Sequence, residues 1–438
     1  MKFSEHIGKG VWAFASRALP LIYAVALILV ARTIPREEFG TLTVFQTLFS
    51  MLFTFSDGFA LQAIVKFSVE PNVAIEELVT VTMMLFVGFL TISLFLLVVF
   101  REFVATALNN DSLVVLLPWL AFFAFLTIPR VVFAKVLQGN FRMKEIFFVD
   151  FANFGIAGIL IFFLLSAGHI HSAIDIVQIT VITGFLSSIV ATILVRPYLK
   201  FRFRYSRAML SRISNFVRFQ AALGLTVTAQ QNFDTLIVSS YTGASGAAIY
   251  GTAKMLFRGF DILRETMTLF VFPAASKFYS RNDLPTLRTI IEKSVSFLYL
   301  IVIPSGIVLA LTAPYIFHFL YGTKYDASVV IFRILLIGLL FFPIQMVFGV
   351  SMSGMGKIKE LVRFFIICLI LNVITALVLV QIMGISGAAL SLVLTSAVLT
   401  LQLFLTLKKM IAFSNSGIFI RGIGDLLSHT QNKWQTPE

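Results

Sequence analysis

Apolar residues in this chain come in long unbroken runs, not in the alternation of a half-exposed strand or the narrow stripe of a surface helix. Twelve windows of roughly 18–25 mostly apolar residues can be marked, each long enough to cross about 30 Å of hydrocarbon as a helix. They fall at about 11–31, 40–65, 78–100, 113–134, 146–165, 175–195, 214–240, 246–275, 294–312, 327–353, 364–382 and 385–407. Only short segments connect them, and the pattern predicts an all-α polytopic membrane protein with twelve transmembrane helices. The first run has no small-x-small cleavage pattern and is too long for a signal-peptide core, so it is expected to stay as a span.

Composition sharpens this. Of 438 residues, 58% are hydrophobic and 13% charged, against about 45–50% and about 25% in soluble globular proteins. A soluble enzyme and a disordered chain are both excluded. The net charge of +13 would suggest nucleic acid in a soluble protein, but its placement says otherwise. With the N-terminus taken as cytoplasmic, 24 of the 34 Lys and Arg fall in inner segments, four in outer loops and six within spans. That bias follows the positive-inside rule, so both termini are expected in the cytoplasm and no nucleic-acid partner is expected. Cys368 is the sole cysteine, which rules out a disulfide within the chain.

The chain also reads as a duplication. Leu137–Ile146 aligns without gaps on Met352–Leu361 at an offset of 215, matching a glycine, two basic residues and a glutamate. At an offset of 208, Val30–Leu42 aligns on Val238–Tyr250, which places a seven-residue insertion around span nine. Repeats of six spans keep the same orientation and are related by an axis along the membrane normal. The expected organisation is an N-terminal lobe over 1–195, a basic cytoplasmic linker over 196–213, a C-terminal lobe over 214–407 and a cytoplasmic tail over 408–438. The linker, with Arg196, Lys200, Arg202, Arg204 and Arg207, is expected near anionic lipid headgroups. The tail places Phe419, Ile423, Leu426 and Leu427 at the spacing of a short interfacial helix.

Candidate chemistry lies in the charges inside spans. Span eight carries Lys254, Arg258, Asp261, Arg264 and Glu265. On an unbroken α-helix all but Arg264 share one stripe, with Arg258 and Asp261 spaced to pair. Each such charge costs about 2.5–3.5 kcal/mol at the bilayer centre, so the stripe is expected to face protein or water. Shifting by 208 puts Lys254, Arg258 and Glu265 onto Gln46, Ser50 and Asp57 of span two, and span seven adds Gln220, Gln231 and Asp234. Two pseudo-symmetric six-helix lobes around a central polar cleft are the expected architecture. Arg17 either snorkels to the interface or faces that cleft, Arg130 is expected at the inner interface, Arg333 lines the cleft or packs, and Asp150 is expected to pair with a nearby base. His169 and His171 read as an ordinary loop. Pro20, Pro118, Pro273, Pro304 and Pro343 are expected bending points. No Walker, Gly-x-Ser-x-Gly or His-Glu-x-x-His motif is present, so neither ATP hydrolysis nor those hydrolase chemistries has support.

Three motifs, in this order, carry a family resemblance. Leu29–Leu42, containing Arg32-Thr33-Ile34-Pro35-Arg36-Glu37-Glu38-Phe39-Gly40, is followed by Gly354-Met355-Gly356-Lys357 after span ten and Gly384-Ile385-Ser386-Gly387-Ala388-Ala389 before span twelve. The chain resembles the polysaccharide-exporting flippases, the O-antigen and capsule repeat-unit translocases of the multidrug/oligosaccharidyl-lipid/polysaccharide exporter superfamily, over about residues 5–410. The resemblance implies a two-lobe transporter, not an enzyme. It would move an undecaprenyl-diphosphate-linked glycan across the bacterial inner membrane, among membrane lipids, and would leave room for other polysaccharide-assembly membrane proteins as partners. It implies substrate-binding roles for Arg258 and Lys254, with Arg17, Arg264, Gln46 and Gln231 as further candidates. It implies no cofactor, and coupling to a proton or sodium gradient through Asp57, Asp261, Glu265 or Asp234. The two extra C-terminal spans of the related peptidoglycan-precursor flippases are missing from the pattern, which argues against lipid II as cargo. Rival readings are a multidrug or cation exporter of the same superfamily, a membrane polysaccharide polymerase or ligase, and a carrier of another twelve-helix class.

Overall fold

The computed structural model describes residues 3–68, 70, 73–199, 203 and 205–411. Among them every regular element is helical. Nine of the described helices are long and apolar enough to cross a membrane, and a tenth candidate is a pair bent by 51° between Ala327–Leu340 and Phe342–Gly354. Expected spans seven and eight are also helical, within Arg207–Phe257 and Asp261–Ser280, but carry more polar residues. The chain is therefore a multi-pass, all-α membrane protein, and twelve helices in two lobes are consistent with it. Residues 419–427, where the tail helix is expected, and residues 200–202 and 204 of the basic linker lie outside the described residues.

Four spans depart from the unbroken helices expected, the fifth through a π-helical turn at Phe151–Gly155. The second runs from Arg36 to Phe67 and passes through a π-helical turn at Asp57–Leu61. The eighth is interrupted by a 3₁₀ turn at Arg258–Phe260. The tenth bends at a 3₁₀ turn, Gly338–Leu340, just before Pro343. Proline at the start of the following helix gives up no helical hydrogen bond, which makes this an inexpensive place to bend.

The described chain groups into two compact units. The first comprises residues up to Ile249 together with Leu320–Lys324, and the second Tyr250–Phe319 and the chain from Tyr325 onward. The first unit thus takes in the expected span seven and the small-residue run that follows it. Two of its helices come close at Gly40, where an added Cβ would lie 1.7 Å from the Ala244 carbonyl oxygen. Glycine and alanine let backbones approach this closely. The short segment around Lys324 is held to the same unit because its ammonium donates to the Ile34 carbonyl at 2.6 Å. Burial lowers the pKa of Lys324 from its ordinary value, and Glu37 works in the opposite direction. At the other end of this unit Arg212 bridges to Glu70 and lies 4.8 Å over the Phe67 ring, above a cluster of Ala63, Leu78, Ile213 and Val217.

The internal repeat is visible in the backbone. Span four ends at Gly139 and the next helix begins at Met143, while span ten ends at Gly354 and the next begins at Ile358. Phe141 has φ 55° and its counterpart Gly356 has φ 76°. The amide of Arg142 donates to the Leu137 carbonyl at 2.9 Å, and that of Lys357 to the Met352 carbonyl at 2.9 Å. Both loops are left-handed helix stops of the same kind. Phe141 pays for that conformation with a side chain, whereas glycine adopts it freely.

Candidate functional site

The second unit carries the charges of span eight. Lys254 is buried, 9% exposed, with its ammonium 5.5 Å from the Tyr250 ring centroid. Arg258 is exposed and sits on the 3₁₀ turn. That turn advances about 120° per residue instead of 100°, so the angular stripe drawn on an unbroken helix does not extend across it. Asp261 pairs with Arg264, at 3.6 Å, rather than with Arg258 as the spacing suggests. The side chain of Glu265 lies outside the described residues. Arg333 is exposed and donates to the Ala310 carbonyl at 2.9 Å.

The first unit departs further from expectation. Asp57, a candidate for ion coupling, is engaged by Lys135 of span four at 3.1 Å and accepts a hydrogen bond from Gln62 at 2.8 Å. Arg130 faces Asp150 of span five at 3.3 Å and lines a cavity. Asp150 pairs with a base as expected, and it also accepts from the Ser16 hydroxyl at 2.5 Å. Arg17 is exposed on span one and is not among the residues lining that cavity. Of the span-seven candidates, Asp234 is fully buried and accepts from the Thr235 amide at 2.8 Å, while Gln231 is exposed. These two do not present a common exposed face, and the Gln220 side chain lies outside the described residues.

The cavity, about 170 Å³, lies among spans one, two, four, five and six. Its walls are largely aromatic: Phe49 stacks on Phe123 with centroids 4.5 Å apart, and Phe154 lies under the Arg130 guanidinium at 5.2 Å. Its polar groups are Tyr23, Gln46, Arg130, Asn153, Thr180 and Thr183. Gln46, predicted as a binding residue, does line it and donates to the Tyr23 hydroxyl at 3.1 Å. Asn153 and Phe154 stand on a second π-helical turn, Phe151–Gly155. Both π turns of this unit adjoin an acid, Asp57 or Asp150, whose cationic partner comes from span four. A π turn widens the helix by one residue and redirects the side chains on it, and such turns concentrate at functional sites. Sequence reasoning misses Arg130, Asn153 and Phe154 as site residues. The signal that could have found them is the pair Arg130 and Asp150 in adjacent spans, each too costly to leave unanswered in lipid.

Among the described residues no group of His, Cys, Asp and Glu is arranged to hold a metal ion.

A family profile described as "Polysaccharide biosynthesis protein" matches residues 29–330. The chain belongs to that family. A Haloferax volcanii protein provisionally named a low-salt glycan biosynthesis flippase is 21% identical over 84% of this chain and 76% of its own. A Shigella flexneri protein provisionally named an O-antigen transporter is 23% identical over 88% of this chain and 93% of its own. An uncharacterized membrane protein of Methanocaldococcus jannaschii is 26% identical, and that match spans 64% of its length. Among solved structures, an inward-facing multidrug-resistance MATE transporter of the MOP superfamily superposes with TM-score 0.78 at 15% identity, covering 91% of this chain and 98% of that one. The lipid II flippase MurJ in an inward closed conformation gives TM-score 0.73 at 15% identity, covering 98% and 93%. At such identities the structural likeness establishes the fold.

Proposed function

We propose that the protein is a flippase that moves undecaprenyl-diphosphate-linked oligosaccharide repeat units from the cytoplasmic to the periplasmic leaflet of a bacterial inner membrane. Two lobes, 1–195 and 214–407, joined by the linker 196–213, rock about a cleft to give alternating access, with both termini in the cytoplasm. The observation that supports this best is the family match over residues 29–330 in a chain whose span eight brings Lys254, Arg258 and Arg264 against two acids. A diphosphate cannot enter hydrocarbon unpaired, and Arg and Lys give it charge-assisted hydrogen bonds in place of water. Coupling to a proton or sodium gradient would use Asp57, Asp261, Asp234 or Glu265. Asp57 is already answered by Lys135, as Asp261 is by Arg264.

The multidrug-exporter reading shares this fold, but a cationic cargo calls for a net acidic cleft. The flippase reading is tested in a deletion strain by extracting lipid-linked oligosaccharides and probing the cell surface. Loss of surface glycan, with lipid-linked units retained on the inner leaflet, is expected. Unchanged surface glycan in a strain with no second flippase would overturn it.

A further inference from the structure

We propose that the cavity in the first unit binds a single neutral pyranose ring, and so reads one sugar of the glycan that the proposed flippase carries. The inference rests on that reading for its biological setting, but the binding itself is a property of the cavity and is measured separately.

Size comes first. About 170 Å³ is below the roughly 300–1,000 Å³ of sites that take drug-sized ligands. An oligosaccharide does not fit, whereas one six-membered ring does. The lining has the two characters that a pyranose presents. Phe49 and Phe123, stacked on each other, and Phe154 under the Arg130 guanidinium supply apolar lining for the C–H groups of a sugar, and the polar groups beside them can hydrogen-bond to its hydroxyls.

Asn153 is the most informative of these groups. It is 9% exposed and lines the cavity, and its side chain hydrogen-bonds to no other group among the described residues. Its amide atoms are not among the fully enclosed unpartnered ones, so they open onto the cavity and can pair with what fills it. An amide that both donates and accepts matches a pair of adjacent hydroxyls. The π turn that carries Asn153 and Phe154 sets the amide beside an aromatic face, the combination a sugar ring needs.

Charge then selects among sugars. Arg130 is the cation of the site, but Asp150 already neutralises it at 3.3 Å, and the pair is mostly buried, with 19% and 22% side-chain exposure. A uronic acid or a phosphate placed against Arg130 would bring a second anion up to Asp150 in a low dielectric, which is strongly unfavourable. A neutral ring can accept from the guanidinium while the pair stays intact.

The test is saturation-transfer NMR on the purified full-length protein in lipid nanodiscs. The probes are methyl glycosides of glucose, galactose and N-acetylglucosamine, with methyl glucuronide as the charged control. Ring-proton saturation is expected from at least one neutral glycoside and not from the glucuronide. Asn153→Ala, and separately Phe154→Leu, should each weaken that binding by about five- to tenfold, in protein whose thermal midpoint shows it is folded. The proposal is overturned by no saturation from any neutral glycoside, by equal saturation from the glucuronide, or by binding unchanged in both folded variants. Should wild-type protein move lipid-linked glycan yet bind no glycoside, this inference fails and the flippase reading stands. Glycoside binding without such movement would uphold the cavity as a sugar site and overturn the flippase reading.

Discussion

The two repeats share a scaffold and place their charges on different helices of it. In the first, the cations belong to span four, where Arg130 and Lys135 answer Asp150 and Asp57. Their counterparts at the 215 offset are Gln345 and Val350, and Gln345 donates only to the Ser396 carbonyl and the Thr400 hydroxyl, at 2.7 and 3.1 Å. In the second repeat the cations belong to span eight, as Lys254 and Arg258, where span two has Gln46 and Ser50. Arg258 stands exposed on a turn, while Arg130 and Lys135 are mostly buried against carboxylates. The duplicated fold thus sets its cations differently. One copy pairs Arg130 and Lys135 with acids of neighbouring spans. The other puts an exposed Arg258 on a turn, the charge that the proposed flippase reading assigns to an anionic cargo.

The most severe way to break this division is to remove the second repeat's cations. Lys254→Gln with Arg258→Gln should lower export by about a hundredfold, if each charge-assisted contact to the diphosphate contributes about 1.5–3 kcal/mol. The readout is the rate at which lipid-linked glycan becomes accessible from outside in proteoliposomes holding equal amounts of folded protein. Gln46→Ala with Ser50→Ala, at the equivalent positions of span two, should cost far less. Equal losses from the two double variants would show that the repeats are not specialised.

Next in size is the neutralised pair of the first repeat. Arg130→Gln leaves Asp150 buried without its base and should destabilise the protein by about 3 kcal/mol. Adding Asp150→Asn should restore most of this, since amide and amide can share a hydrogen bond without an unpaired charge. Thermal unfolding in detergent separates the cases. A double variant as unstable as Arg130→Gln alone would mean that packing against Phe154, not charge, is what Arg130 provides.

How much of this was legible in the sequence follows from what each signal depends on. Hydrocarbon thickness alone fixes span length, so the helical membrane-spanning character could be read from apolar runs, and the repeat from Gly139 and Gly354 with their flanking basic residues. The polar stripe of span eight depended in addition on an unbroken 100° advance. The 3₁₀ turn at Arg258–Phe260 interrupts that advance, and the two π turns likewise arise from tertiary packing that no local propensity encodes. Partners are harder still. Arg258 and Asp261 satisfied a spacing rule, yet Asp261 turned to Arg264, one turn along in the other direction. Arg130 and Asp150 lie 20 residues apart, and only the hairpin between spans four and five brings them together. The cavity combines residues from five spans, so no single stretch of sequence announces it.

The smallest effect tests the scaffold on which the comparison rests. Gly139 and Gly354 occupy equivalent helix ends and pack on equivalent segments: Ile64 and Ser68 in the first repeat, Phe272 and Ser276 in the second. The obstacles differ. A Cβ at Gly354 would lie 2.7 Å from the Phe272 carbonyl oxygen and 3.3 Å from the Ser276 amide nitrogen, both backbone atoms. At Gly139 the near atoms are the Ser68 hydroxyl, at 2.3 Å, and the Ser68 Cβ, at 3.2 Å, with the Ile64 carbonyl oxygen at 3.8 Å. A hydroxyl held only by a 3.5 Å contact to the Val65 carbonyl can rotate away, but a backbone cannot move without parting two helices. Gly354→Ala should therefore cost about 2 kcal/mol and Gly139→Ala about 1 kcal/mol or less. Ser68→Ala added to Gly139→Ala should recover most of the smaller loss. Thermal midpoints of the three variants decide it: equal costs at the two glycines would mean that the crossings are less alike, or less tight, than their shared spacing requires.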